Sequence, residues 1–285
     1  MSRTFLVTGV AGFIGSHVGE ALVGRGDRVV GVDNFCDFYD PAVKRANLAA
    51  LARHERFTLC EGDIRDPAAM QRAFAVAPID CVMHLAAMAG VAPSLEQPAL
   101  YQDVNVRGTL AVLEAARARR VPRFVFASSS SVYGRTSRLP FAEDDPADRP
   151  VSPYAATKRA GELLAHVYHD LYAMQVTCLR FFTVYGPRQR PDLAVHKFTR
   201  LIEAGRPITV FGDGRSSRDY TYVDDILDGV LKALDRVAAP PSAFAVYNLG
   251  ESRPVTLLEL IELLGAALGK RPTIDWQPDR PATCR

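Results

Sequence analysis

The chain has 285 residues, 48% of them hydrophobic and 23% charged, enough for one large domain or a core domain with a smaller partner. A formal net charge of +2 excludes the broad basic field of a nucleic-acid binder, and no apolar stretch approaches the roughly 18 residues of a membrane span. Five scattered cysteines without C-x-x-C spacing, and six histidines without H-x-x-x-H or H-E-x-x-H spacing, point to reduced thiols in a cytoplasmic protein and to no metal centre.

The first residues run directly into an apolar segment, so the expectation is a chain without a signal peptide. Residues 4–8 (TFLVT) predict a strand. Gly9, Gly12 and Gly15 follow in TGVAGFIGSH, and an amphipathic helix runs on to about residue 25. Such a turn needs glycines so that backbone N–H groups can approach a pyrophosphate at the helix N-terminus. A second strand, 28–32, ends at Asp33. A carboxylate there accepts hydrogen bonds from an adenosine ribose and repels a 2′-phosphate, which favours NAD over NADP. A helix over 41–53 comes next, then a strand over 57–61 ending at Gly62 and Asp63. A helix over 67–75 leads to a strand over 80–85, in which His84 reads as a satisfied core residue. A long helix over 98–120 and a strand over 123–127 continue the alternation, which means a parallel sheet covered by helices on both faces.

That strand runs out into four serines in FVFASSSSVYG, and a Pro/Asp/Glu-rich surface loop spans 140–153. A helix over 153–172 opens with SPYAATK, which puts Tyr154 and Lys158 four residues apart on one face. The ammonium favours the ionised phenol, so Tyr154 can act as a base below its reference pKa of about 10. A serine beyond the strand end can hydrogen-bond a substrate hydroxyl and share its proton with Tyr154. After a strand over 176–180 the rhythm changes. A Pro/Arg loop (186–191), a helix (194–204), a strand (208–210), the loop GDGRSSRD, a helix (223–234), a strand (245–249) and a helix (257–268) suggest a smaller lobe. The expected division is 1–182 and 183–285.

TGVAGFIGSH, the serine run, the Tyr-Lys pair and LRFFTVYGPRQRPD together resemble the extended short-chain dehydrogenase/reductase superfamily, and within it the nucleotide-sugar epimerases. DNFCDFYDPAVKRANLAAL and RFFTVYGPRQRPDLAVHKF are most similar to UDP-glucuronate 4-epimerases, with UDP-glucose 4-epimerases next. The resemblance implies a Rossmann-like doubly wound parallel sheet with a smaller C-terminal α/β substrate lobe, and NAD as cofactor. It implies that Gly9, Gly12, Phe13, Ile14 and Gly15 face the pyrophosphate, with Asp33 and Asn34 on the ribose and Phe35 beside it. Asp63 and Ile64 would meet the adenine, and Leu85, Ala86 and Ala87 would line the end of the fourth strand. Asn105, Tyr154, Lys158 and Phe181 would lie by the nicotinamide half. Ser129 matches the catalytic hydroxyl, with Ser130 and Ser131 as substrate neighbours.

On the substrate side the resemblance implies Arg190, helped by Thr183, on a sugar carboxylate, Arg218 on the UDP pyrophosphate, Phe211 by the uracil and Asp279 on the uridine ribose. Dehydratases of the superfamily need a carboxylic acid just after the catalytic hydroxyl; Ser130 and Ser131 stand there instead, so elimination lacks its acid. The implied reaction is reversible oxidation of a UDP-sugar at carbon 4, UDP-glucuronate to UDP-galacturonate. The alternatives are UDP-glucose/UDP-galactose epimerisation and a non-catalytic NAD-binding protein. A homodimer through helices 98–120 and 153–172 is implied too. The ending QPDRPATCR falls short of the family pattern, so the expectation is a reduced lobe or a truncated chain, with UDP affinity affected before NAD binding.

Overall fold

The computed structural model describes residues 2–135, 138–237 and 243–278, so Asp279 lies outside the described residues. It divides into two compact units, 1–181 with 224–249, and 182–223 with 250–285.

The first unit begins with β1 (Thr4–Thr8), α1 (Phe13–Gly24), β2 (Arg28–Asp33), α2 (Pro41–Asn47), β3 (Phe57–Glu61), α3 (Pro67–Ala75) and β4 (Cys81–His84). It continues through α4 (Val91–Glu96), α5 (Pro98–Gln102), a π-helical turn (Asp103–Arg107), α6 (Gly108–Ala118), β5 (Arg123–Ser129), α7 (Pro153–Tyr172) and β6 (Gln175–Phe181). The second unit holds β7 (Thr183–Tyr185), α8 (Ala194–Glu203), β8 (Ile208–Phe211) and β9 (Ser217–Tyr222). The chain then returns to the first unit with α9 (Val223–Arg236) and β10 (Ala245–Leu249), and ends in the second with β11 (Pro254–Thr256), α10 (Leu257–Leu268) and β12 (Ile274–Gln277).

Seven parallel strands run in the order β10-β6-β5-β4-β1-β2-β3. This is the doubly wound, Rossmann-like sheet, and its strand order reverses between β1 and β4. Burial on both faces explains why β1 and β5 are nearly continuous apolar runs rather than alternating ones. One face packs Leu6, Val30 and Val82 against Met70 of α3, Leu113 of α6 and Ala165 of α7. Residues 224–249 were expected in the small lobe; they join the first unit because β10 extends the sheet beside β6, in register Ala245 to Thr177. The long helix expected over 98–120 is interrupted by the π-helical turn, and 41–53 divides into α2 and the 3₁₀ turn Leu51–Arg53.

The second unit has its own core, Phe198 and Ile202 of α8, Ile208 and Val210 of β8, and Leu260 and Ile261 of α10. β7, β9 and β11 form one small sheet, and β8 with β12 another. Four of these five short strands fall outside the sequence expectation, since β9 begins inside the predicted glycine/serine loop and β7, β11 and β12 are only three or four residues long.

Candidate active site

The end of β1 is a turn that only glycine fits. Gly9 sits at φ +70°, and a Cβ there would lie 2.8 Å from the Ala86 backbone nitrogen. A Cβ on Gly15 would lie 2.1 Å from the Gly9 carbonyl oxygen. Gly12 caps α1 with no side-chain hydrogen bond, so the first-turn N–H groups of Phe13 and Ile14 are left to another acceptor. Backbone this close, leading to an uncapped helix start, is a cradle for a phosphate.

Asp33 ends β2 and is 8% exposed. Its carboxylate accepts from the N–H of Ala11 (3.0 Å) and of Phe35 (2.9 Å), which ties the glycine turn to the strand end. Phe35 takes φ +49°, with the Arg45 guanidinium 4.2 Å from its ring centre. Asn34 donates to Asp63 at 2.9 Å. Asp63 also receives Arg65 on both oxygens, at 2.9 and 2.7 Å, and this pairing, against burial, brings its carboxyl down to about 2. Ile64 beside it is buried in the core.

Beneath β4 a chain of hydrogen bonds fixes one tautomer. Thr109 Oγ1 donates to the Asn105 carbonyl (2.6 Å), so it accepts from His84 Nε2 (2.9 Å). His84 Nδ1 then accepts from Thr8 Oγ1 (2.7 Å), which in turn accepts from the N–H of Leu85 (3.2 Å) and Ala86 (3.1 Å). His84 is 1% exposed, and burial, aided by the Lys158 charge, takes it down to about 3, so it stays neutral. Leu85 and Ala86, which open the stretch to Ala87, are thereby held from below, and His84 is a satisfied core residue. Asn105, in the π-helical turn, is 2% exposed. Its side chain accepts from Met88 N (2.8 Å) and donates to Met88 O (2.9 Å) and Thr157 Oγ1 (3.0 Å). It therefore clamps the loop after β4 onto α7. An inserted residue of this kind commonly marks a functional position in a helix.

Ser152 caps α7 by accepting from Ala155 N at 3.1 Å, a contact worth about 1 kcal/mol. Tyr154 stands in the first turn, half-buried, with the Tyr101 ring edge-on at 6.2 Å. One turn on, Lys158 is 5% exposed and its Nζ donates to the Ala127 carbonyl at 2.7 Å. Burial pushes this ammonium down to about 8, with Glu162 pulling the other way. Ser129 is the last residue of β5 and accepts from Ser131 N at 3.2 Å; Ser130 and Ser131 open a 3₁₀ turn. Phe181 ends β6 directly across from Ser129. Gly9, Asp33, Leu85, Ser129 and Phe181 thus all lie at or just past the carboxyl ends of parallel strands, along one edge of the sheet.

Sequence reasoning missed the buried charges under this edge. Glu162, 0% exposed, accepts from Ser128 Oγ (2.5 Å), from Arg180 (2.9 and 3.0 Å) and from Arg159 (2.8 Å). Burial alone would raise its carboxyl, but Arg180, Ser128 and Arg159 hold it below the usual range. Breaking such a buried pair costs about 3–5 kcal/mol. Two signals were present: an arginine inside the apolar strand VTCLRFF, and a glutamate one turn after Lys158.

In the second unit Thr183 opens β7 opposite Tyr220. Arg190, its side chain 16% exposed, sends Nε and Nη2 to both oxygens of Asp192, at 3.0 and 2.8 Å. Arg190 thereby holds the Asp192 carboxyl below the usual range although burial opposes it. Arg218 is exposed on β9 and donates to Ser217 O at 2.7 Å, and Phe211 is half-buried at the end of β8. Among the described residues, no three His, Cys, Asp or Glu side chains are grouped to hold a metal, and no helix is long and apolar enough to cross a membrane.

A model of the NAD dependent epimerase/dehydratase family matches residues 5–250. UDP-glucuronate 4-epimerase 3 of Arabidopsis thaliana is 47% identical over 272 residues, which cover 91% of this chain and 63% of that protein. The chain thus spans less than two thirds of the length of that relative. The UDP-glucuronate 4-epimerase of Thermodesulfobacterium geofontis (strain OPF15) is 44% identical, over 94% of this chain and 81% of its own. Among solved structures, UDP-glucuronic acid 4-epimerase from Bacillus cereus, in complex with UDP-glucuronic acid and NAD, superposes with a TM-score of 0.88 at 36% identity, covering 98% of this chain and 88% of its own. UDP-glucose 4-epimerase from Thermus thermophilus, in complex with NAD, gives 0.87 at 35% identity, covering 99% and 88%.

Proposed function

The chain belongs to the NAD dependent epimerase/dehydratase family, and on that premise we propose that it inverts carbon 4 of a UDP-sugar, with UDP-glucuronate and UDP-galacturonate as the pair and NAD as cofactor. The observation that carries this reading is Tyr154 and Lys158 stacked on α7, with Ser129 at the end of β5, on the sheet edge that also bears the glycine cradle. The names of the relatives, UDP-glucuronate 4-epimerases at 44–47% identity, support the sugar.

The residues fit a dinucleotide. The cradle at Gly9 and Gly15 admits no side chain, and the Asp33 carboxylate at the end of β2 suits a free ribose rather than a phosphorylated one. When bound, NAD supplies a reversible hydride acceptor for carbon 4. Lys158, at about 8, is mostly protonated at neutral pH and stabilises the Tyr154 phenolate. Tyr154 takes the proton of the sugar 4-hydroxyl, with Ser129 orienting that hydroxyl, and returns it after the keto sugar has turned over. Ser130 and Ser131 place no carboxylic acid beside the leaving positions, so elimination has no proton donor there. Thr183 and Arg190 take the sugar carboxylate, Arg218 the pyrophosphate and Phe211 the uracil side; Arg–carboxylate pairing fixes orientation as well as charge.

The reading includes a homodimer in the cytoplasm. Leu163, Val167 and Leu171 form an exposed apolar stripe at i, i+4 and i+8 along α7, and Leu110 is exposed on α6. Such a stripe supports association through these two helices. One observation favours a second reading, UDP-glucose/UDP-galactose epimerisation: Arg190 already engages the carboxylate of Asp192 on two atoms. Incubation with UDP-glucuronate and with UDP-glucose, followed by chromatographic resolution of the sugar nucleotides, separates the two. The expected result is UDP-galacturonate with no net NADH. UDP-galactose alone selects the second reading, and no product from either sugar leaves a non-catalytic NAD-binding protein.

A further inference from the structure

We propose that Glu162 is a positioning residue for the Tyr154–Lys158 centre: pinned by Arg180, it holds a negative charge one turn beyond Lys158 and anchors the strand end that carries Ser129. The inference rests on the catalytic reading of Tyr154 and Lys158 and adds a residue that touches neither substrate nor cofactor.

Three observations carry it. First, Tyr154, Lys158 and Glu162 stand at i, i+4 and i+8 of α7 and so share one face. Second, Ser128, immediately before Ser129 in β5, gives its hydroxyl to Glu162 at 2.5 Å, while Arg180 on β6 binds both carboxylate oxygens. Strand β5 is thus pinned to α7 and β6 at the residue before the catalytic hydroxyl. Third, the network continues. The Arg180 guanidinium lies 4.7 Å from the Tyr133 ring centre, and Tyr133 donates to Asn248 of β10 at 2.7 Å. Asn248 in turn donates to the Phe141 carbonyl at 3.2 Å, which links the serine turn to the following loop.

The charges around Lys158 leave Glu162 as the group that favours its protonated form. Burial opposes the ammonium; Glu162 pulls the other way by charge, beside the hydrogen bond that Nζ gives to the Ala127 carbonyl. From β4, His84 is neutral. From β6, the Cys178 thiol is held protonated by burial, and Arg180 is committed to Glu162. From the 3₁₀ turn, burial likewise raises the Tyr133 phenol, and α5 contributes the Tyr101 ring. Arg159 on α7 itself pairs with Glu162. Farther out, Asp103 pairs with Arg107 in the π-helical turn, Glu114 with Arg117 on α6, and Glu96 of α4 is exposed.

The test is the protonation midpoint of Lys158, followed by the ¹³Cε NMR shift of labelled lysine and assigned by its loss in Lys158→Met. In Glu162→Gln the midpoint is expected to fall by about one unit, a tenfold loss of proton affinity. In Glu162→Asp, which keeps the charge, it is expected to stay near the wild-type value. Turnover should follow: the alkaline limb of the kcat profile moves down by the same amount in Glu162→Gln and stays in place in Glu162→Asp. A uniform fall in kcat at every pH, with the Lys158 midpoint unmoved, would mean that Glu162 serves packing alone. Because Glu162→Gln orphans Arg180, the doubly neutral E162Q/R180Q is run beside it and is expected to shift in the same direction by less, since the Arg180 charge that opposes the ammonium is gone too. If both neutral variants fail to fold while Glu162→Asp folds, the role is structural and the proposal is wrong. The NMR midpoint needs no turnover, so failure of the epimerase reading and failure of this one are read separately.

Discussion

Acid should destabilise this protein through His84, by an amount the structure sets. The residue is 1% exposed and its pKa falls from 6.5 to about 3 on folding, with burial the main cause. The unfolded chain therefore binds the proton first, and stability declines as pH drops below about 6.5. At pH 5 the gap spans about one and a half units, or about 2 kcal/mol, and toward pH 3 it grows to about 4–5 kcal/mol. Protonation also leaves Nδ1 with a hydrogen where Thr8 must donate, so the support of Leu85 and Ala86 is broken at the same step. Urea titrations at pH 8, 6 and 5 measure the effect, with His84→Asn as the reference that cannot titrate. Wild type should lose about 2 kcal/mol more than the variant between pH 8 and pH 5. Equal losses in the two proteins would refute a buried, neutral His84. Lys158 does not blur the comparison, because its depressed value of about 8 imposes nearly all of its penalty before pH falls to 7, in both proteins alike.

Gly15→Ala forces a Cβ to within 2.1 Å of the Gly9 carbonyl, a backbone atom that cannot swing aside. The variant should lose the thermal shift that NAD gives wild type, and an undiminished shift would contradict the cradle. Arg190→Ala should raise KM for UDP-glucuronate at least tenfold, the loss of about 1.4 kcal/mol or more from a charged hydrogen bond, while sparing UDP-glucose. Unchanged UDP-glucuronate turnover would remove Arg190 from carboxylate recognition. Leu163→Glu combined with Leu171→Glu places two charges on the exposed stripe of α7. Sedimentation is expected to show a dimer for wild type and a monomer for this variant; a wild-type monomer would contradict the proposed docking of this face.

The glycine turn, Asp33, the serine strand end and the Tyr-Lys face were legible because each is local: a turn, a strand end, a helix period. The alternation of strands and helices gave the parallel sheet for the same reason. Strands β7, β9, β11 and β12 were not legible, because three to six residues carry too little pattern and their pairing is set by partners far along the chain. The π-helical turn was hidden inside a helix whose composition is ordinary; what it achieves, the two-way clamp of Asn105 on Met88, shows only in three dimensions. Asn105 was expected beside the nicotinamide, and its described hydrogen bonds go to the protein itself. The Glu162–Arg180 pair joins residues 18 apart across α7 and β6, and no helix or strand period reports such a contact.

The central claim is that carbon 4 is oxidised and reduced within one site, with Tyr154 handling the proton. The most direct measurement gives the protein UDP-glucuronate carrying deuterium at carbon 4, in ordinary water, and reads the product by mass and by NMR. The account predicts UDP-galacturonate that retains the deuterium at carbon 4, and loss of that product in Tyr154→Phe. Product with hydrogen from solvent at carbon 4 would contradict it.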